Sequence, residues 1–86
     1  MPEVVIYSSA LCGFCHRAKL LLSEKGVDFK DIPVDMDIDA RAEMRSLAGG
    51  DNKVPQIFIN GDHIGGCDAL YALESQGELD RLLSAA

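Results

Sequence analysis

Val4-Val5-Ile6-Tyr7 is a short, unbroken apolar run rich in β-branched residues, which predicts a buried strand. Ser8-Ser9-Ala10-Leu11 follows as a loop. Phe14, Ala18, Leu21 and Leu22 then recur at i, i+4, i+7 and i+8, one face of a helix, and Gly26 stands where such a helix should stop. Val27–Val34 reads as a second strand, confined by Pro33 and its poor alternation to an edge or an end. Asp37 or Asp39 can cap a second helix with Ala40, Met44, Leu47 and Ala48 on one face, and Gly49-Gly50 ends it. Gln56-Ile57-Phe58-Ile59, preceded by Val54-Pro55, is a third strand. Asn60-Gly61 is a hairpin signal, so His63-Ile64 is expected to pair antiparallel with it. After the Gly65-Gly66 break, Asp68 can cap a third helix that buries Leu70 and Leu73. A last short helix carries Leu79, Leu82 and Leu83.

The resulting order is β-α-β-α-β-β-α-α. A helix between two strands implies a right-handed crossover and a parallel pair, and the hairpin adds an antiparallel one. An α/β fold is expected, a mixed four-stranded sheet with helices on both faces.

The chain has 86 residues, read as one domain over 1–86. Apolar residues make up 48 %, enough for a core, but with no Trp and few aromatics that core must be aliphatic. A net charge of −6 argues against nucleic acid or an anionic membrane surface as partner. No apolar run reaches the roughly 18 residues needed to span a bilayer. Met1-Pro2-Glu3-Val4 lacks the basic region of a signal peptide, so the expected compartment is the cytoplasm. Structural disulfides are rare there. Three cysteines is also an odd number for a disulfide framework, so catalysis or metal binding is the expected use of the close pair.

That pair is Cys12-Gly13-Phe14-Cys15. The spacing puts Cys12 at the mouth of the first helix and Cys15 one turn further in. Unpaired N–H groups of the first turn and the helix dipole favour an anion at Cys12. Such placement lowers a thiol pKa from about 8.5 into the range of about 3.5–7.5. Cys12 is therefore the expected nucleophile and a good leaving group, and the more buried Cys15 the expected resolving thiol. Two other uses of the pair stand beside this one. Cys67, His16 and His63 could complete a zinc site, although zinc ligands usually come as two close pairs. The two thiols could also be purely structural.

Tyr7, Cys12-x-x-Cys15 opening a helix, Val54-Pro55 and Gly65-Gly66-Cys67-Asp68 occur in this order over nearly the whole chain. Together they resemble the glutaredoxin family. His16-Arg17-Ala18-Lys19 and Pro55-Gln56-Ile57-Phe58-Ile59 look like its bacterial dithiol type. The resemblance implies a thioredoxin-like fold, disulfide oxidoreductase activity, and glutathione as co-substrate and partner. It also implies a cis peptide bond before Pro55, with the Val54 backbone free to pair with the ligand's cysteinyl backbone. Phe14 would form an aromatic wall. Gly66, Cys67 and Asp68 would take the γ-glutamyl end, and Arg41 the glycyl carboxylate.

Where dithiol members usually carry Cys-Pro-Tyr-Cys, this chain has Gly13-Phe14, a pair similar to that of the monothiol class. Ser9 replaces a usual lysine, Lys53 a threonine, and Ala69 a second acidic residue. Carboxylate binding would then lean on the helix and on Arg41 or Lys53. Three readings follow. The first is a glutathione-dependent enzyme acting on glutathionylated or disulfide-containing proteins as a monomer. The second is a dimer in which Cys12 of each copy and two glutathiones ligate a [2Fe-2S] cluster. The third is a disulfide reductase indifferent to glutathione.

Overall fold

The computed structural model describes residues 2–84. In chain order the elements are β1 (Val4–Ser8), α1 (Gly13–Glu24), β2 (Lys30–Pro33), α2 (Ile38–Leu47), β3 (Gln56–Ile59), β4 (Asp62–Gly65), α3 (Cys67–Ser75) and α4 (Glu78–Ser84). The strands form one sheet of order β2-β1-β3-β4. β2 runs parallel to β1, while β3 runs antiparallel to both β1 and β4. Ile6 therefore lies opposite Ile57, and Phe58 opposite His63.

Side chains alternate across a strand, so β1 and β3 each feed two faces. Val4, Ile6, Ile57 and Ile59 pack with Ala18, Leu21 and Leu22 of α1, Cys67 and Leu70 of α3, and Leu79 and Leu83 of α4. Tyr7 and Phe58 face the other way, onto Met44 of α2, Ala48 and Val34. Helices thus cover both faces as expected, but unequally, with three on one side and α2 alone on the other. Each fully buried aliphatic side chain contributes about 1.5–3 kcal/mol by leaving water. The larger cluster under β1 is therefore the main support of the loop that carries Cys12.

Several expectations need correction. The second strand begins at Lys30 rather than at Val27. In the parallel register Val5 meets Lys30, so upstream of Lys30 only Val4 of β1 remains to pair with. Val27 and Phe29 instead lay their side chains against the larger core. Leu47 is 53 % exposed rather than buried with Met44 and Ala48, because its position on α2 carries it to the sheet rim beside Val5 and Phe58. Leu73 is only partly buried. Asp68 does not cap α3. Gly66 takes the extended N-cap conformation and the helix begins at Cys67, which leaves Asp68 in the first turn.

The helix ends otherwise follow local chemistry. Gly26 follows the last turn of α1 with φ 72°, the left-handed position that glycine occupies without penalty. Asp37 is the N-cap of α2, and its carboxylate accepts the Ala40 N–H at 2.9 Å. Asp37→Ala should cost about 1 kcal/mol of stability. Urea titration checks this, and an unchanged midpoint would remove the cap from the account of α2.

Candidate active site

β1 ends at Ser8, and the next four residues carry the chain to the mouth of α1. Cys12 is the N-cap of that helix, and its Sγ accepts the Cys15 N–H at 3.1 Å. An N–H of the first turn thus points at the sulfur, as the spacing predicts, and no acidic residue in that turn opposes an anion there. Cys12 is half-buried, and Cys15 is completely buried one turn in. The two sulfurs are joined in a disulfide, with Cα atoms 5.2 Å apart.

The loop before Cys12 is clamped from β2's far end. The Ser9 hydroxyl and the Ala10 N–H both donate to the Asp35 carboxylate, the latter at 2.8 Å. The Ser9 bond, then the Ala10 bond, hold the Asp35 carboxyl below the usual carboxylate range, with Arg41 adding to the effect. Ser9 therefore anchors the loop instead of supplying a cation. His16 contacts the Ala10 carbonyl at 3.2 Å, and the Lys19 ammonium pairs with Asp31 at 2.7 Å.

Beside Cys12 opens a groove of about 320 Å³. Val54 and Pro55 form one wall, and their peptide bond is cis. Val54 lies outside the strands, and among the described residues neither its N–H nor its C=O has a backbone partner. Its carbonyl oxygen sits 4.0 Å from the Cys12 Sγ. Phe14, 57 % exposed, stands at the α1 side. Gly66, Cys67 and Asp68 close the α3 side, and a Cβ on Gly66 would come within 3.4 Å of the Pro55 carbonyl. That close approach seats the start of α3 against Pro55. Since Asp68 does not serve as a cap, its carboxylate has no hydrogen bond to the α3 N-terminus and lines the groove.

The fold thus brings together Phe14, Val54, Pro55, Gly66, Cys67 and Asp68, which are spread over more than fifty positions. Arg41 is not with them. Its guanidinium donates to the Asn52 carbonyl at 3.0 Å, and Lys53 is the cationic side chain in the groove wall. Ala69, noted above as a departure from the family, also lines the groove, as do Asp51 and Gln56, which the sequence reading does not mark as site residues. The available signal for Gln56 was a lone polar residue opening an apolar strand; Asp51 offered none. Cys67 is buried, and burial pushes its thiol up, with Arg17 pulling the other way and Asp68 adding to the rise. It is poorly suited to act as a nucleophile. His16, His63 and Cys67 do not converge, and no group of three metal-ligating side chains occurs among the described residues. Among the same residues no helix is long and apolar enough to cross a membrane.

A family model described as Glutaredoxin matches residues 4–64. A glutaredoxin of Pseudomonas aeruginosa is 55 % identical over 85 residues, covering 99 % of this chain and 100 % of the relative. Glutaredoxin 3 of Escherichia coli is 53 % identical over 83 residues, covering 96 % and 99 %. Among solved structures, a buckwheat glutaredoxin–glutathione complex superposes with TM-score 0.86 at 34 % identity, covering 96 % of this chain and 77 % of that one. A dithiolic glutaredoxin of Trypanosoma brucei brucei superposes with TM-score 0.86 at 41 % identity, covering 95 % and 87 %. The sheet order and helix placement described above are accordingly the thioredoxin-like arrangement.

Proposed function

The chain belongs to the glutaredoxin family and is a thiol–disulfide oxidoreductase with Cys12 and Cys15 as its redox pair; we propose further that glutathione is its co-substrate and Cys12 its nucleophile. The observation that carries this reading is the position of the Cys12 sulfur, at a helix N-terminus and 4.0 Å from a Val54 carbonyl in the groove wall.

In the proposed reaction the Cys12 thiolate attacks the glutathione sulfur of a glutathionylated substrate. A new S–S bond forms, the old one breaks, and the substrate leaves as a thiolate that takes a proton from water. A second glutathione, as thiolate, attacks the glutathionyl sulfur on Cys12. Glutathione disulfide departs and the Cys12 thiolate returns. With a protein disulfide, Cys12 attacks one sulfur and Cys15 then attacks the Cys12 sulfur. The second substrate thiol is released and the Cys12–Cys15 disulfide remains, to be reduced by two glutathiones.

The groove suits glutathione chemically. The Val54 N–H and C=O, which have no backbone partner among the described residues, can pair with the cysteinyl backbone as a short ladder. Asp68 can accept from the γ-glutamyl ammonium, while the first N–H groups of α3, from Cys67 onward, take the adjoining carboxylate. Lys53 in the groove wall can take the glycyl carboxylate, and so can Arg41, whose single bond to the Asn52 carbonyl leaves other guanidinium donors available. The buckwheat relative was solved with glutathione, which favours the same use here. We read residues 1–86 as one glutaredoxin domain, monomeric and cytoplasmic, serving glutathionylated or disulfide-bearing proteins.

The test is reduction of hydroxyethyl disulfide coupled to NADPH through glutathione and glutathione reductase. Turnover should saturate with glutathione and should be absent when thioredoxin reductase replaces both. Equal turnover without glutathione would reject the reading in favour of a glutathione-independent reductase.

A second reading rests on the surroundings of Gly13. Space around it is open, and Leu11 and Phe14 beside it are exposed, so a second copy could approach Cys12. One copy offers too few ligands for a [2Fe-2S] cluster. The cluster reading therefore requires two copies, each giving Cys12, with two glutathione thiolates. Anaerobic reconstitution with iron, sulfide and glutathione should then yield a brown dimer; a colourless monomer rejects it.

A further inference from the structure

Gln56 opens β3 as a polar residue in an apolar strand, and it is only 1 % exposed. Both ends of its carboxamide are bonded. Nε2 donates to the Lys53 carbonyl at 2.9 Å, and the amide also bonds the Asp51 carboxylate. Oε1 accepts from His63 Nε2 at 2.7 Å, so that ring nitrogen carries the proton. Asp51 in turn accepts the Lys53 N–H at 2.9 Å. The His63 ring is itself set by β4 and by the Phe58 ring, whose centroid is 5.1 Å away.

Both backbone polar groups of Lys53 are therefore held, one by Gln56 and one by Asp51. Val54 sits between this fixed residue and Pro55, which α3 packs against at Gly66. Val54 has no ladder of its own, yet ligand hydrogen bonds tolerate only a few tenths of an ångström of misplacement. A loop left free would have to be ordered on binding, at a cost in affinity.

We propose that Gln56 and His63 are positioning residues for glutathione, acting through Lys53 to hold the Val54 backbone in the place the ligand reads. This rests on the glutathione reading of the groove. A merely structural role for Gln56 is the alternative, and the two differ in what they leave unchanged.

The experiment compares the wild type with Gln56→Leu, His63→Phe and His63→Gln. Each is assayed for KM and kcat with the mixed disulfide of glutathione and mercaptoethanol, and for the pH midpoint of Cys12 alkylation by iodoacetamide. Gln56→Leu should raise KM about tenfold, and His63→Phe about threefold, by freeing groups now paired. His63→Gln keeps a donor and should return KM to within about twofold of wild type. kcat and the alkylation midpoint should not move. KM values within about twofold of wild type for both Gln56→Leu and His63→Phe would overturn the proposal, as would kcat and the midpoint shifting along with KM. Should Gln56→Leu fail to fold, the two variants at exposed His63 decide the question alone. If the wild type itself shows no saturation with the glutathione mixed disulfide, the glutathione reading falls first and this proposal with it.

Discussion

Cys12→Ser should lower glutathione-coupled disulfide reduction by about a thousandfold or more, to the rate of uncatalysed exchange. A serine oxygen at the α1 N-cap still accepts the Cys15 N–H, so the helix keeps its cap. It cannot form the S–S bond on which every step depends. Cys15→Ser separates the two routes. Deglutathionylation needs only Cys12 and should continue, whereas protein-disulfide reduction should stall at the first mixed disulfide. Intact-mass analysis would then find the client covalently held on Cys12. Cys15 is fully buried in its helix turn with its sulfur on that of Cys12, which is why its loss closes only the intramolecular step. Loss of both activities in Cys15→Ser, or appreciable turnover in Cys12→Ser, would overturn the assignment of roles.

Ile6→Ala should be the most damaging of the core truncations. Ile6 has no solvent exposure, sits on central β1 opposite Ile57, and packs in the same cluster as Leu22 and Leu70. Truncating such a residue costs about 2–5 kcal/mol, from the lost burial and the cavity left behind. A domain of this size has in total only about 4–13 kcal/mol of stability, so the variant retains a small margin. With a slope of about 1–3 kcal/mol per molar, its urea midpoint should fall by at least about 0.7 M. Leu20→Ala makes the control, since Leu20 is 59 % exposed on the outer side of α1 and its loss should cost under about 0.5 kcal/mol. Equal effects of the two substitutions would contradict the packing described for β1. The consequence reaches the site, because β1 ends four residues before Cys12 and sets where the loop to α1 begins.

Where expectation and structure part, the reason is the same in each case. Asp68 looked like a cap because aspartate is good at capping, but capping depends on which residue leaves the extended conformation last, and the contact of Gly66 with Pro55 decides that. Leu47 fits the apolar face of α2 by periodicity, yet a helix covering one sheet face alone leaves its flank at the rim. Ser9, seen as a missing lysine, turned out to be half of a clamp on Asp35, a partner 26 positions away.

What the sequence determined by itself was set by short-range chemistry. Apolar runs and glycine or asparagine turns placed the strands, 3.6-residue spacing placed the helices, and the separation of Cys12 from Cys15 put one cysteine at a helix mouth with a buried partner one turn behind. These depend on sterics and hydrogen bonds within a few residues, and they hold wherever the segment lies. Only the tertiary structure decided which distant groups meet: the Val54 carbonyl beside Cys12, Lys53 rather than Arg41 in the groove, and Gln56 bridging Lys53 and His63. Those contacts follow from strand register and from how α2 and α3 settle on the sheet. Both come from the summed burial of two cores, a quantity spread over the whole chain and carried by no single stretch of it.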